Sequence, residues 1–341
     1  PVVNVAVDDP NAASPGPLTL TGGEQAVSVN LVSKGGFVTV PSPAPPFRHV
    51  SVSGAGLAGA WNTSSDITVV ANVAAPIKKL LVRLPGESLA PGSVSGKAGA
   101  ALPQTAGSTF TVTAYATDSN FNPYDASQSP TLPAAWITLT DPLFSVAPGT
   151  ATLAGGSTTY SLRSPVASTQ TLAAHTQTVG YNDFSQIFTV LPSTPTRLLV
   201  LMPGETAAPG TALGRTGTAT VLNAGVTYFA TVRLTDDFFN IESATSVFHP
   251  LITMPEVEIT FPNDGNAFSW GLYAQPYANS LISGQSLFKV VPVTRREPPA
   301  GEGLVVRATD DGANGTSYGV NASTSGFVSP GVPIRLQLMA P

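Results

Sequence analysis

Leu80-Leu81-Val82-Arg83-Leu84-Pro85-Gly86-Glu87 occurs again as Leu198-Leu199-Val200-Leu201-Met202-Pro203-Gly204-Glu205, 118 positions later. The match extends from Lys79 to Asn122 and from Arg197 to Asn240. Pro91-Gly92, Gly96, Gly99 and Ala106-Gly107 return as Pro209-Gly210, Gly214, Gly217 and Ala224-Gly225, and Thr117-Asp118 and Asn122 return as Thr235-Asp236 and Asn240. A fixed long period with matched turn residues means tandem structural units. Further landmarks extend the phase. Pro148-Gly149, Leu153 and Gly155-Gly156 are echoed by Pro15-Gly16, Leu20 and Gly22-Gly23, and by Pro276, Leu281 and Gly284. Residues 1–76 therefore read as the back half of a unit, 77–195 as a complete one, and 196–333 as a complete one with insertions. Residues 334–341 read as the first strand of a further unit.

Inside the repeat the apolar period is two. Phe110, Val112, Ala114 and Ala116 alternate with Thr111, Thr113, Tyr115 and Thr117, and residues 228–234 sit in the equivalent place. That is a strand with one face buried. Pro, Gly, Asn and Asp punctuate the chain about every 8–12 residues, as a β-sandwich requires. No Pro- and Gly-free stretch holds a helical period. The expectation is an all-β chain of tandem sandwiches with negligible helix. The Pro/Gly-dense run at 85–105 cannot be a central strand and reads as a long loop or edge crossing. Glu87 and Glu205 read as carboxylates taking backbone N–H bonds at a turn.

The loops Asp118-Ser119-Asn120-Phe121-Asn122 and Asp236-Asp237-Phe238-Phe239-Asn240 directly follow a strand. Asp and Asn bond their own backbone in such turns. These loops resemble the Asp-x-x-x-Asn loop after the second strand of bacterial immunoglobulin-like domains of the invasin and intimin kind. They depart from it in carrying Phe121 and Phe239 where that family often has Gly. The resemblance implies tandem immunoglobulin-like sandwiches in a cell-surface setting, and it carries no catalytic residue across.

Composition narrows the function class. Of 341 residues only 10% are charged, against about 25% on average. The net charge of −5 is scattered, and the densest basic sites are the pairs Lys78-Lys79 and Arg295-Arg296, so a nucleic-acid footprint is missing. No apolar run is long enough to span a membrane. Cysteine is absent, which excludes disulfides and thiolate metal sites. The three histidines, His49, His175 and His249, lack ligand spacing to one another. No nucleophile elbow, zinc-protease helix or phosphate loop occurs, and the repeated acids lie in turns. The reading is no enzyme, no cofactor and no catalytic residue. Calcium is the one metal weighed, at Asp264 in Asn263–Asn266 and at Asp310 and Asp311 in Asp310–Gly315. Neither matches a full calcium-loop spacing, and tight Asp-Gly and Asn-Gly turns explain both stretches. Asn62, Asn314 and Asn321 head glycosylation sequons. A Lys–Asn cross-link would need a core lysine, and the repeat-interior Lys97 is replaced by Arg215.

The expected function is an extracellular structural protein: a stalk, fibre or sheath of tandem repeats whose partners are neighbouring repeats or further copies of itself. The truncated third copy, Arg335-Leu336-Gln337-Leu338, suits either a longer repeating polypeptide or strand donation between subunits through Ile334, Leu336 and Leu338. The alternative is an adhesin or glycan-binding module, with Phe268, Trp270, Tyr273 and Tyr277 as its aromatic segment. An accessory region of a secreted hydrolase is a third reading. The Pro-containing linkers 74–76 and 191–195 are short, and predict restricted bending.

Overall fold

The structure is a computed structural model, and it describes residues 1–35, 38–39, 42–43, 47–54, 62–75, 77–125, 128, 131–242, 253–267, 277–294 and 303–332. It is built from strands, with a single three-residue 3-10 turn at Ala154–Gly156 among the described residues. The candidate donor strand, with Ile334, Leu336 and Leu338, lies outside them, as do Trp61, His249, Phe268, Trp270 and Tyr273. The chain forms two compact units: residues 1–104, 109–163 and 169–189 in one, and 105–108, 164–168 and 190–341 in the other.

The first unit opens with a four-stranded sheet in the order Gly16–Thr19, Val2–Val7, Val50–Ser53, Asn62–Thr63. A sandwich follows. One sheet runs Ser145–Ala147, Ser157–Arg163, Thr109–Thr117, Lys78–Arg83, Tyr181–Asn182. The other includes Phe184–Leu191, Thr169–Thr176, Ala134–Leu139 and Thr150–Thr152 in that order. The period of two in 109–117 is the reason: Phe110, Val112, Ala114 and Ala116 are all buried while Thr109 and Thr111 are exposed. Ile137, Leu172, Ala174 and Phe188 of the facing sheet are buried as well, and the Phe110 and Phe188 rings lie 5.7 Å apart. Each fully buried Val, Leu, Ile or Phe side chain among them contributes about 1.5–3 kcal/mol, and the alanines less. Tyr160 lies wholly inside, and its hydroxyl donates to the Ala135 carbonyl at 2.6 Å, which satisfies its one polar atom.

The second unit repeats the plan. Arg197–Leu201, Tyr228–Thr235 and Gln285–Val290 form one sheet, and Tyr277–Ser280, Glu256–Thr260, Arg307–Asp310 and Asn321–Ala322 the other. Its core holds Leu198, Val200, Val232, Leu234, Val257, Ile259, Phe288 and Val306. The 118-residue period is a period of register: Ala114 pairs with Val82 and Ala116 with Leu80, and Val232 pairs with Val200 and Leu234 with Leu198.

The Pro/Gly-dense run is more ordered than the loop expected from its composition. Glu87–Leu89 pairs with Lys97–Gly99, and Glu205–Ala207 with Arg215–Gly217, as small two-stranded ribbons. Glycine makes each ribbon close: Gly99 has φ +81°, and a Cβ there would lie 2.7 Å from the Gly86 carbonyl oxygen. Glu87 and Glu205 take the turn N–H groups of Leu84 and Met202, both at 2.8 Å, as expected.

Candidate functional site: the repeated Asp-to-Asn loops

Asp118 ends the strand Thr109–Thr117 and is 1% exposed. A buried carboxylate needs donors around it, and Asp118 has four. Oδ1 accepts the N–H groups of Asn120 and Asn122, both at 2.9 Å. Oδ2 accepts the Asn122 side-chain amide and, from 46 residues upstream, the backbone N–H of Asn72, both at 2.9 Å. Asp236 does the same. Its Oδ1 takes Phe238 N–H at 2.8 Å and Asn240 N–H at 2.9 Å, and its Oδ2 takes the Asn240 amide and Ser193 N–H, both at 2.9 Å.

The asparagine completes the arrangement. Asn122 Oδ1 accepts Lys34 N–H at 2.7 Å, and its Nδ2 donates to the Val32 carbonyl at 2.9 Å. In the second loop Asn240 Oδ1 accepts Ala167 N–H at 2.7 Å, and its Nδ2 donates to the Pro165 carbonyl at 2.9 Å. One amide thus brackets three residues of another segment, and it does so twice with the same atoms at the same distances. Asn72, just before the linker, is held from both sides in the first copy, where Tyr124 Oη donates to its carbonyl at 2.8 Å. Burial pushes the Tyr124 phenol well up, helped by the nearby Asp118 carboxylate, so it remains a donor.

The gripped segment is itself fixed. Asp9 Oδ2 accepts Val32 N–H at 2.6 Å and Ser33 N–H at 2.8 Å, and the Arg48 side chain donates to the Ser33 carbonyl at 3.1 Å. Burial alone would raise the Asp9 carboxyl. The hydrogen bonds from Ser33, Asn11 and Val32 outweigh it and hold the group below its ordinary value.

Phe121 and Phe239 occupy left-handed backbone, with φ +59° and +62°. This explains why glycine suits that place in similar loops, and what the aromatic ring does instead. Phe121 packs on Gly96, where a Cβ would sit 2.5 Å from the phenyl Cβ; Phe239 packs on Gly214 in the same way. Lys79 Nζ lies 4.1 Å above the Phe121 ring and the Arg197 guanidinium 5.2 Å above that of Phe239. The adjoining carbonyls are taken by the Pro-Gly pairs: Gly92 N–H donates to Asn120 O and Gly210 N–H to Phe238 O, both at 2.7 Å. The repeated landmarks of the sequence thus converge on one structure.

The calcium candidates are placed apart from this. Asp264 is fully buried and accepts Thr294 Oγ1 at 2.8 Å and the N–H groups of Thr294 and Asn266 at 3.2 Å. Asp310 accepts Gly312 N–H, Thr316 Oγ1 and Tyr318 N–H at 2.9–3.1 Å, and Asp311 accepts Ala313 N–H at 2.8 Å. These bonds close the local turns, and among the described residues no group of three or more His, Cys, Asp or Glu side chains is placed to hold a metal ion. The sequon Asn321 is occupied internally, its Oδ1 accepting Val200 N–H at 3.1 Å. Trp136 stacks on His175 at 5.5 Å, and His175 is further held by Asp183 at 2.8 Å. Among the described residues no helix is long and apolar enough to cross a membrane.

What the sequence hides is the partner set. The contact common to Asn72 and Ser193 is a backbone N–H, which leaves no side-chain signature, although the Ser193 hydroxyl adds a longer bond to Asp236 at 3.4 Å. The signal available was the twice-repeated Asp-Asn pair together with a linker at a similar upstream distance.

No protein-family model and no curated protein matches the chain. Among solved structures, it is similar to the Escherichia coli adhesin FdeC at 14% identity and TM-score 0.29, over 82% of this chain and 74% of that one. Domains 5–6 of the S-layer protein SbsC align at 11% identity and TM-score 0.22, over 67% and 93%. A glycosyl hydrolase family 2 member from Bacteroides cellulosilyticus aligns at 11% identity and TM-score 0.27, over 75% of this chain and 29% of the hydrolase.

Proposed function

We propose that this chain is a non-enzymatic extracellular structural protein, a stalk of tandem immunoglobulin-like repeats whose partners are its own neighbouring repeats. One observation carries the reading. Each Asp-x-x-x-Asn loop spends its side chains on backbone at or next to a linker, Ser193 in one copy and Asn72 in the other, and on that of an upstream loop, so the most organised polar site of the repeat is a joint. A charged acceptor with several N–H donors is worth about 1.5–3 kcal/mol per bond, enough to make such a joint stiff. The repetition of the joint, the low charge and the absence of cysteine fit a passive element exposed to tension.

Two measurements test this. The Asp118→Ala/Asn122→Ala variant of the full chain, compared with the parent by small-angle scattering and limited proteolysis, is expected to bend more widely and to be cut near Asn72. Identical profiles and cutting rates would show that these loops do not stiffen the chain. Protease treatment of intact producing cells is expected to release the protein, and complete protection would overturn the extracellular assignment.

A further inference from the structure

The joint leaves one buried reactive group unused. Lys97 sits on the ribbon strand Lys97–Gly99, with its side chain only 10% exposed. Its Nζ lies 2.9 and 3.0 Å from the two carboxylate oxygens of Glu87, whose side chain is 5% exposed, and it contacts Oε1 of Gln186. The Gln186 amide nitrogen in turn donates to Glu87 Oε1 at 2.5 Å. The ring of Phe184 covers the amine at 5.0 Å. An amine, a carboxamide and a carboxyl that touches both are therefore brought together in one partly buried cluster, where the amine also donates to the Val82 carbonyl at 3.2 Å, with the amine and amide 89 residues apart in sequence.

We infer that Lys97 and Gln186 form an intramolecular isopeptide bond, with Glu87 as the proton shuttle. In low dielectric the ion pair Lys97⁺/Glu87⁻ loses its advantage over the neutral amine and acid, and burial lowers the lysine pKa against the opposing pull of Glu87. The neutral Nζ attacks Cδ of Gln186. The Nζ–Cδ bond forms, Glu87 takes a proton from Nζ and delivers one to Nε2, the Cδ–Nε2 bond breaks, and ammonia leaves. Nothing is oxidised or reduced and no co-reactant is needed. The product is a secondary amide, formed once per molecule. It ties the ribbon that follows the first sandwich strand, Lys78–Arg83, to the last strand, Phe184–Leu191.

The second repeat carries an internal control. Arg215 occupies the place of Lys97, with Nε 3.6 Å from Glu205 Oε1, and the third member there is Thr324, whose hydroxyl donates to Glu205. A guanidinium stays protonated and is not a nucleophile, so that site remains a set of hydrogen bonds. Arg215 thus excludes a lysine cross-link in the second repeat alone, and Lys97 keeps the chemistry available in the first.

Intact-mass and tandem mass spectrometry of the folded full chain test this. The parent is expected to weigh one ammonia less than its sequence, about 17 Da, with the loss on a branched peptide joining Lys97 to Gln186. Lys97→Arg, which copies the second repeat, is expected at full sequence mass with a circular dichroism spectrum like the parent's. Glu87→Gln is expected folded and uncross-linked. A folded parent at full mass, with residues 97 and 186 in separate linear peptides, overturns the inference, as does a branched peptide that persists in Lys97→Arg.

Discussion

Single side chains in this protein act by completing other residues' backbone. Gly96 is an example: it holds φ +72° and lies against the Phe121 ring, so the repeat spends one residue without a side chain to seat another in left-handed backbone. Gly96→Ala is expected to lower stability by about 1–3 kcal/mol, since overpacking and positive φ act together; urea unfolding followed by tryptophan fluorescence reads the loss. His49 offers a titration. Its Nδ1 lies 2.8 Å from Asp8 and its Nε2 2.9 Å from Asp66, and these two hydrogen bonds raise its pKa above 6.5. A raised histidine stabilises fully below its unfolded value, and the contribution fades as pH rises through the folded one. NMR titration of His49 is expected to give a midpoint above 6.5, and His49→Gln to abolish the part of the stability profile that falls over that window.

At the scale of elements, the fold was written plainly in the chain and the joint only half so. Alternation in 109–117 and 228–235 gave the strands, because burial of every second side chain is a local property. Gly, Pro and Asx positions marked the turns because they answer to backbone geometry. The ribbons at 87–99 and 205–217 escaped because their short strands have no apolar face to pattern. The joint escaped because Asp118 meets Asn72, and Asn122 meets Val32 and Lys34, through the partners' main-chain atoms, which any residue but proline supplies. Gln186 was invisible for another reason: a lone amide on a strand has no signature until the fold brings Lys97 and Glu87 to it. The joint also predicts an acid response. Asp9 is held below its ordinary value, so its contribution is present above pH 3.8 and is lost as pH falls through the folded pKa. Hydrogen exchange at the Val32 and Ser33 amides is expected to accelerate in that window, and Asp9→Asn to show the faster rate already at neutral pH.

At the scale of the molecule, each unit carries its own core, the first around Leu80, Val82, Val112, Tyr160 and Leu172, the second around Leu198, Val200, Val232, Ile259 and Phe288. Phe288→Ala is expected to cost about 3–5 kcal/mol and to move one calorimetric transition while the other stays in place. A single shifted transition for the whole chain would show that the cores unfold together.

The atoms read by the Asp-x-x-x-Asn loop have a consequence for ancestry. A joint that asked its neighbour for particular side chains would have to change in step with that neighbour. This one asks for two N–H groups and a carbonyl, from Asn72, Lys34 and Val32 in one place and from Ser193, Ala167 and Pro165 in the other. Side chains add to this grip, Lys34 Nζ reaching Asp125 at 3.3 Å in one place and Ser193 Oγ reaching Asp236 at 3.4 Å in the other, but the contacts common to both copies are made to the neighbour's backbone. The shared backbone contacts thus ask nothing of the neighbour's side chains, and those positions are left free to diverge between the two copies.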